Sequence, residues 1–193
     1  MEILGKILGS PSRVKMMRLF LQNKSKAFTN KDIVSRSRVN LSVVRKELAL
    51  LSSANFVKKM SAGWTFNLAF PYTTEFEDLL INAGSYDKQN IIESFRKSGK
   101  IKLLIVSGVF IKDKDTRADI LVVGDKIKTK KVEEGVKRLE AEIGVELSYV
   151  VFDTKEFVYR LDMYDKLVRD ILDFPHEVVW SAKELSTQAL KRP

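Results

Sequence analysis

Arg117 and Asp119 stand two residues apart at the head of the run Arg117-Ala-Asp-Ile-Leu-Val-Val-Gly-Asp125. On a strand, that spacing puts both side chains on one face. A guanidinium beside a carboxylate takes up the space and charge that a metal ion needs, so the spacing predicts an Arg117–Asp119 ion pair and no magnesium. The other side chains capable of chemistry are scattered. Asp113 and Asp115 alternate with Lys112 and Lys114 and read as a solvated loop, and Asp125 after Gly124 reads as a turn and helix cap. His176 is the sole histidine, without a second nitrogen or sulfur ligand for zinc, and reads as a loop or cap residue. The chain has no cysteine, which excludes disulfides, thiolate metal sites and cysteine nucleophiles. It carries no Walker-type phosphate loop, no dinucleotide fingerprint and no serine–histidine triad order.

A second kind of chemistry, neutralising a polyanion, falls to the cations. The formal net charge is +9, and its location says more than its size. Residues 1–72 carry thirteen Lys and Arg against three Asp and Glu, whereas residues 73–193 carry 21 against 22. Such an asymmetry is the electrostatic footprint of nucleic-acid binding by one part of a chain with a separate job for the rest. A solvated basic surface has the same composition; the grouping of the cations favours the functional reading.

The elements that must position these cations can be read from spacing. Ser10-Pro11 is a helix start, with Val14, Met17 and Leu21 at helical intervals, predicting a helix over 11–23. Thr29 and Asp32 have the layout of a capping box and open a short helix ending near Ser37. Asn40 caps a third helix with Leu41, Val44, Leu48 and Leu51 on the core face, turning Ser42, Arg45, Lys46 and Ala49 outward as a short basic face. Phe56 to Leu68, with a turn at Ser61-Ala-Gly63, alternates as a β-hairpin. Trp64, Phe66, Phe56 and the Met16-Met17 pair are assigned to the core, with no part in binding.

Three helices with a tight connection between the second and third, followed by a two-stranded wing, resemble the winged helix-turn-helix family over residues 8–72. The resemblance implies that the third helix enters the major groove of duplex DNA, with Ser42, Arg45 and Lys46 toward base edges. It places Arg36, Arg38, Lys58 and Lys59 where phosphates pass, supplying affinity and salt dependence but little sequence information.

Beyond Pro71, helices are expected from Thr74, ended by Ala83-Gly84-Ser85, and over 87–97; they serve as a tether or as a dimer interface. From residue 101 the pattern runs strand (101–106), strand (118–123), helix (130–143), strand (146–152), then helices from Thr154 onward. The order Ser107-Gly-Val-Phe110, a charged loop, the Arg117–Asp125 run, a helix and a further strand resembles the minimal nucleotidyltransferase family over residues 98–175. In that family a Gly-Ser pair approaches nucleotide phosphates, and three carboxylates from one side of a sheet hold magnesium for transfer between polyanions. Here Gly108 is kept, Val109 replaces the serine, Arg117 stands at the first carboxylate position, Asp119 fits the second, and Glu146, beside Ser148, is a weak third. The resemblance therefore implies a degenerate site with no bound metal. Backbone amides near Gly108 could still hold a nucleotide as an effector.

The chain is thus expected to be an α+β protein of two domains: a winged helix-turn-helix at 1–72, a helical linker at 73–98, a nucleotidyltransferase-like mixed sheet with helices at 99–180, and a tail at 181–193. The expected function is a DNA-binding transcriptional regulator, cytoplasmic, with homodimerisation as one option, no cofactor and no membrane insertion. The alternative is an active nucleotidyltransferase using Mg2+ and a nucleotide to modify a protein or RNA.

Overall fold

The computed structural model describes residues 3–82, 87–113 and 115–186. Two compact units divide the chain: Met1–Ser85 together with Lys137–Glu146, and Tyr86–Val136 together with Leu147–Pro193. The fold is α+β, with a two-stranded hairpin in the first unit and a four-stranded mixed sheet in the second.

The first unit opens with α1 (Ile3–Ile7), to which the sequence reading gave no element. Leu4 and Leu8 pack on the core while Ile3 and Ile7 are exposed. α2 (Pro11–Gln22) starts as its sequence requires: Ser10 Oγ accepts from Arg13 N–H, and proline fills the first helical position. Val14, Met16, Met17, Leu19, Phe20 and Leu21 are all buried, which makes α2 the central helix of the unit.

α3 (Asn30–Ser37) carries the reciprocal capping box between Thr29 and Asp32. Asp32 Oδ2 accepts from the Thr29 hydroxyl at 2.7 Å and from the Thr29 N–H at 2.9 Å. These bonds, the hydroxyl's first, hold the Asp32 carboxyl below its ordinary value of 3.8. With the folded value below the unfolded one, the box contributes fully above about pH 4 and is lost as the pH falls through the folded value. Asp32→Asn should therefore slightly lower the melting temperature at neutral pH and flatten its fall below pH 4. A melting series against pH on the two proteins checks this, and parallel acid limbs would refute it.

α4 (Leu41–Ser53) buries Val44, Leu48 and Leu51 and exposes Ser42, Arg45, Lys46 and Ala49, as the spacing requires. Two details differ from the sequence reading. Leu41, at the first helical position, overhangs the core and is exposed, and Asn40 occupies the N-cap position without a side-chain capping bond. β1 (Val57–Met60) pairs antiparallel with β2 (Gly63–Phe66) across a two-residue turn. Gly63 has φ +134°, and a Cβ there would run into the Phe28 carbonyl, so no other residue fits. The strand stops at Phe66, leaving Leu68 outside it and exposed, and Phe28 adds an isolated bridge to Trp64. Phe56, Phe66 and Phe70 meet edge to face over the core. α5 (Thr73–Glu77) continues into a π-helical turn (Asp78–Asn82). The expected stop at Ala83-Gly84-Ser85 lies outside the described residues.

In the second unit α6 (Lys88–Phe95) is capped by Asp87. The sheet has the order β5-β4-β3-β6, built from β3 (Lys100–Val106), β4 (Ile120–Asp125), β5 (Tyr149–Asp153) and β6 (Glu177–Ser181). β4 runs parallel to β5 and antiparallel to β3, and β6 is antiparallel to β3. α7 (Thr129–Ile143) forms the crossover between the parallel pair, its residues from Lys137 onward counting with the first unit. The near-continuous apolar runs of β3 and β4 are buried on both faces. α8 (Thr154–Asp162) and α9 (Lys166–Asp173) follow, and α10 (Lys183–Ser186) closes the described chain.

The reading of helices from Thr154 onward is corrected by β6. Val178, Val179 and Trp180 are strand-forming residues just past Pro175, and they complete the sheet beside β3. β4 begins at Ile120 and β5 at Tyr149, so Arg117, Asp119 and Glu146 all precede the strands on which they were expected.

Candidate functional site

The sequence singled out two groups of residues: the first lies in the first unit, and the second lies in the second unit except for Glu146. In the first unit, Ser42, Arg45 and Lys46 share the exposed face of α4. Arg38 is exposed in the turn that joins α3 to α4, with φ 54°, a left-handed conformation that ends α3. Lys58 and Lys59 are exposed on β1, with Lys59 Nζ 6.0 Å from the Trp64 ring centroid.

Several other cations of the unit serve the fold. Arg13 Nε meets Glu47 Oε2 at 2.8 Å, tying α2 to the buried side of α4. Arg18 is buried and donates to the carbonyls of Leu80 and Glu142. Lys15 pairs with Glu142 and Lys24 with Glu77, each at 2.7 Å. By contrast, Arg38, Arg45, Lys46 and Lys58 make no ion pair with the described residues. The Arg13–Glu47 pair was missed in the sequence because its members lie 34 residues apart with no local signal.

Arg36 departs from its expected place among the open cations. Its Nη2 lies 2.6 Å from Glu146 Oε1, and its guanidinium sits 5.4 Å from the Phe28 ring centroid. Glu146 therefore belongs with α3 in the first unit and does not join Asp119 as a third carboxylate.

In the second unit, Asp119 is nearly buried, and both its oxygens are engaged. Oδ2 accepts from Ser148 N–H at 2.8 Å and from the Ser148 hydroxyl at 2.7 Å, and Oδ1 accepts from Val109 N–H at 3.1 Å. Gly108, at φ +58°, lies so close that a Cβ would collide with Asp119 Oδ1. The Ser107 hydroxyl donates to the Ala118 carbonyl. Together these bonds staple the turn after β3 to the segments entering β4 and β5.

The expected Arg117–Asp119 ion pair is not formed. Arg117, outside the strand and exposed, turns to Asp170 on α9, with Nε–Oδ2 at 3.0 Å. Beside it is an open cleft of about 410 Å3 lined by Asp115, Thr116, Arg117, Lys166, Asp170 and Phe174, with cations and carboxylates in equal number. Ser148, which the sequence placed only as a neighbour of Glu146, is the actual partner of Asp119.

These residues do not fit a magnesium-dependent nucleotidyl transfer. Both oxygens of Asp119 already accept from protein donors, and no three His, Asp or Glu side chains gather into a metal-holding group among the described residues. The phosphate cradle suggested for Gly108 is also closed at three amides: Val109 donates to Asp119, Phe110 to the Ser107 carbonyl and Ile111 to the Gly108 carbonyl. Asp125 pairs with Lys102, which also reaches Glu184, both at 3.0 Å. That pairing is a structural use of Asp125. His176 turns Nδ1 to the Phe174 carbonyl at 2.9 Å, in the loop before β6. No helix among the described residues is long and apolar enough to cross a membrane. Comparison with family models, with curated proteins and with solved structures gives no match to this chain.

Proposed function

We propose that this protein is a DNA-binding transcriptional regulator. Its first unit acts as a winged helix-turn-helix reader of duplex DNA, and its second as a nucleotidyltransferase-like unit without chemistry that serves as a sensor or dimerisation platform. One observation carries the reading. α4 turns Arg45 and Lys46 outward beside Ser42, both cations unpaired, while Arg13, Lys15, Arg18 and Lys24 of the same unit are committed to the fold. Unpaired cations on one helix face are free to exchange water and counterions for a nucleic acid. An arginine on such a face matches the O6 and N7 acceptors of guanine in the major groove, and lysines on an adjoining hairpin match phosphates. No step of nucleotidyl transfer is assigned to the second unit, because no three carboxylates gather there among the described residues.

The test is selection from random duplex DNA at two salt concentrations, followed by binding measurements on whatever sequence is enriched. Arg45→Ala should weaken the selected site by about 1–3 kcal/mol and relax base preference at one position. Lys58→Ala should weaken all sequences alike and lower the salt slope by about one. Equal losses on every sequence for both variants would sink the division into readers and positioners. Failure of the wild type to bind duplex DNA even at low salt would sink the function.

A further inference from the structure

We infer that Glu146 holds, on the Arg36 guanidinium, the place of a backbone phosphate, so that duplex DNA must displace it to engage α3. The inference rests on the DNA-binding reading and adds to it a residue that sets affinity from outside the helices expected to touch DNA.

The geometry is that of a phosphate contact made by a carboxylate. Arg36 Nη2 lies 2.6 Å from Glu146 Oε1, and the guanidinium rests over the Phe28 ring, which orients it while leaving donors free. The side chains are 30% and 71% exposed, so the pair is open to solvent and to an incoming polyanion. Exposed pairs of this kind contribute little to stability.

The fold does not need Glu146 to hold its segment in place. The end of α7 and the residues after it are fixed by Arg18 donating to the Glu142 carbonyl, Asn23 donating to the Gly144 carbonyl at 2.7 Å, and Lys15 pairing with Glu142. Glu146 makes no other hydrogen bond among the described residues. Its carboxylate sits on the one cation of the proposed phosphate set that is already paired, while Arg38 and Lys58 stand open. A phosphate arriving at Arg36 meets a like charge and must replace it, and a cation already neutralised by the protein releases less bound salt when DNA arrives.

Anisotropy of a labelled mixed-sequence duplex across a salt series tests this with the full chain and its Glu146→Gln, Arg36→Ala and double variants. Glu146→Gln should bind about three- to tenfold tighter at low salt, on every sequence alike, and steepen the slope of log affinity against log salt by about 0.9. Its melting temperature should stay that of the wild type, and the gain should vanish in the Arg36→Ala background. Unchanged affinity and slope in Glu146→Gln would overturn the inference alone. So would a gain that persists without Arg36, since that would reflect only net charge. Absence of duplex binding by the wild type would overturn this inference together with the DNA-binding reading.

Discussion

Arg13→Ala is expected to destabilise the first unit by about 3 kcal/mol. Glu47 is buried, with its side chain 6% exposed, and Arg13 Nε at 2.8 Å is its ion-pair partner. Removing the guanidinium leaves a carboxylate facing apolar α2, the costly way to break a buried pair. The 24% exposure of the Arg13 side chain lets some water reach the gap and keeps the figure at the lower end. Arg13 also donates to the Leu8 carbonyl at 2.6 Å, so α1 loosens with it. Replacing both partners, as Arg13→Met with Glu47→Leu, should recover most of the loss because no charge is then stranded. Urea unfolding followed by the fluorescence of Trp64 in a Trp180→Phe background measures both. If the double variant is as unstable as the single one, packing of the Arg13 stem is the cause. Because Glu47 lies on α4, the single variant should also weaken DNA binding through misplacement of that helix.

The first unit was largely legible because its signals are local. Ser10-Pro11, the Thr29–Asp32 box and the Val44, Leu48, Leu51 stripe each involve residues within a turn or two of one another, and each is found as read. Gly63 likewise announces its turn. Where the reading erred, a local rule met an end effect: Leu41 has the periodicity of a core residue but lies at the first position of its helix, beyond the core's edge.

The candidate sites were less legible because their contacts span long stretches of chain. Arg117 and Asp119 obey the spacing of a strand pair, yet β4 begins only at Ile120, and each finds a remote partner: Asp170, 53 residues on, and Ser148, 29 residues on. Glu146 was placed by analogy with a strand position, but the strand starts at Tyr149, and Glu146 meets Arg36 across 110 residues. β6 was missed for a related reason. Five residues of edge strand after two helices carry no alternation, and only pairing to β3 makes them a strand.

The second large effect is expected at Gly108. Gly108→Ala should destabilise the second unit by about 3–4 kcal/mol. Two costs add: an L-residue held at φ +58° forfeits about 1 kcal/mol, and the new methyl group falls on Asp119 Oδ1. A side-chain oxygen ordinarily swings aside, but this one is tethered, because Oδ1 accepts from Val109 N–H while Oδ2 accepts from Ser148 N–H and hydroxyl. Moving the carboxylate breaks three part-buried hydrogen bonds to a charged acceptor, each contributing on the order of 1 kcal/mol. Asp119→Ala alone should cost a similar amount by losing the same three bonds. The two losses then share a cause, so Gly108→Ala with Asp119→Ala should fall well short of their sum. Trp180 on β6 reports the unit in a Trp64→Phe background, the chain having two tryptophans in all. Additive losses would mean that Gly108 is required by its backbone angle alone. A shortfall would show that glycine is needed there to make room for Asp119, whose carboxylate serves this fold as a clamp between three segments of chain.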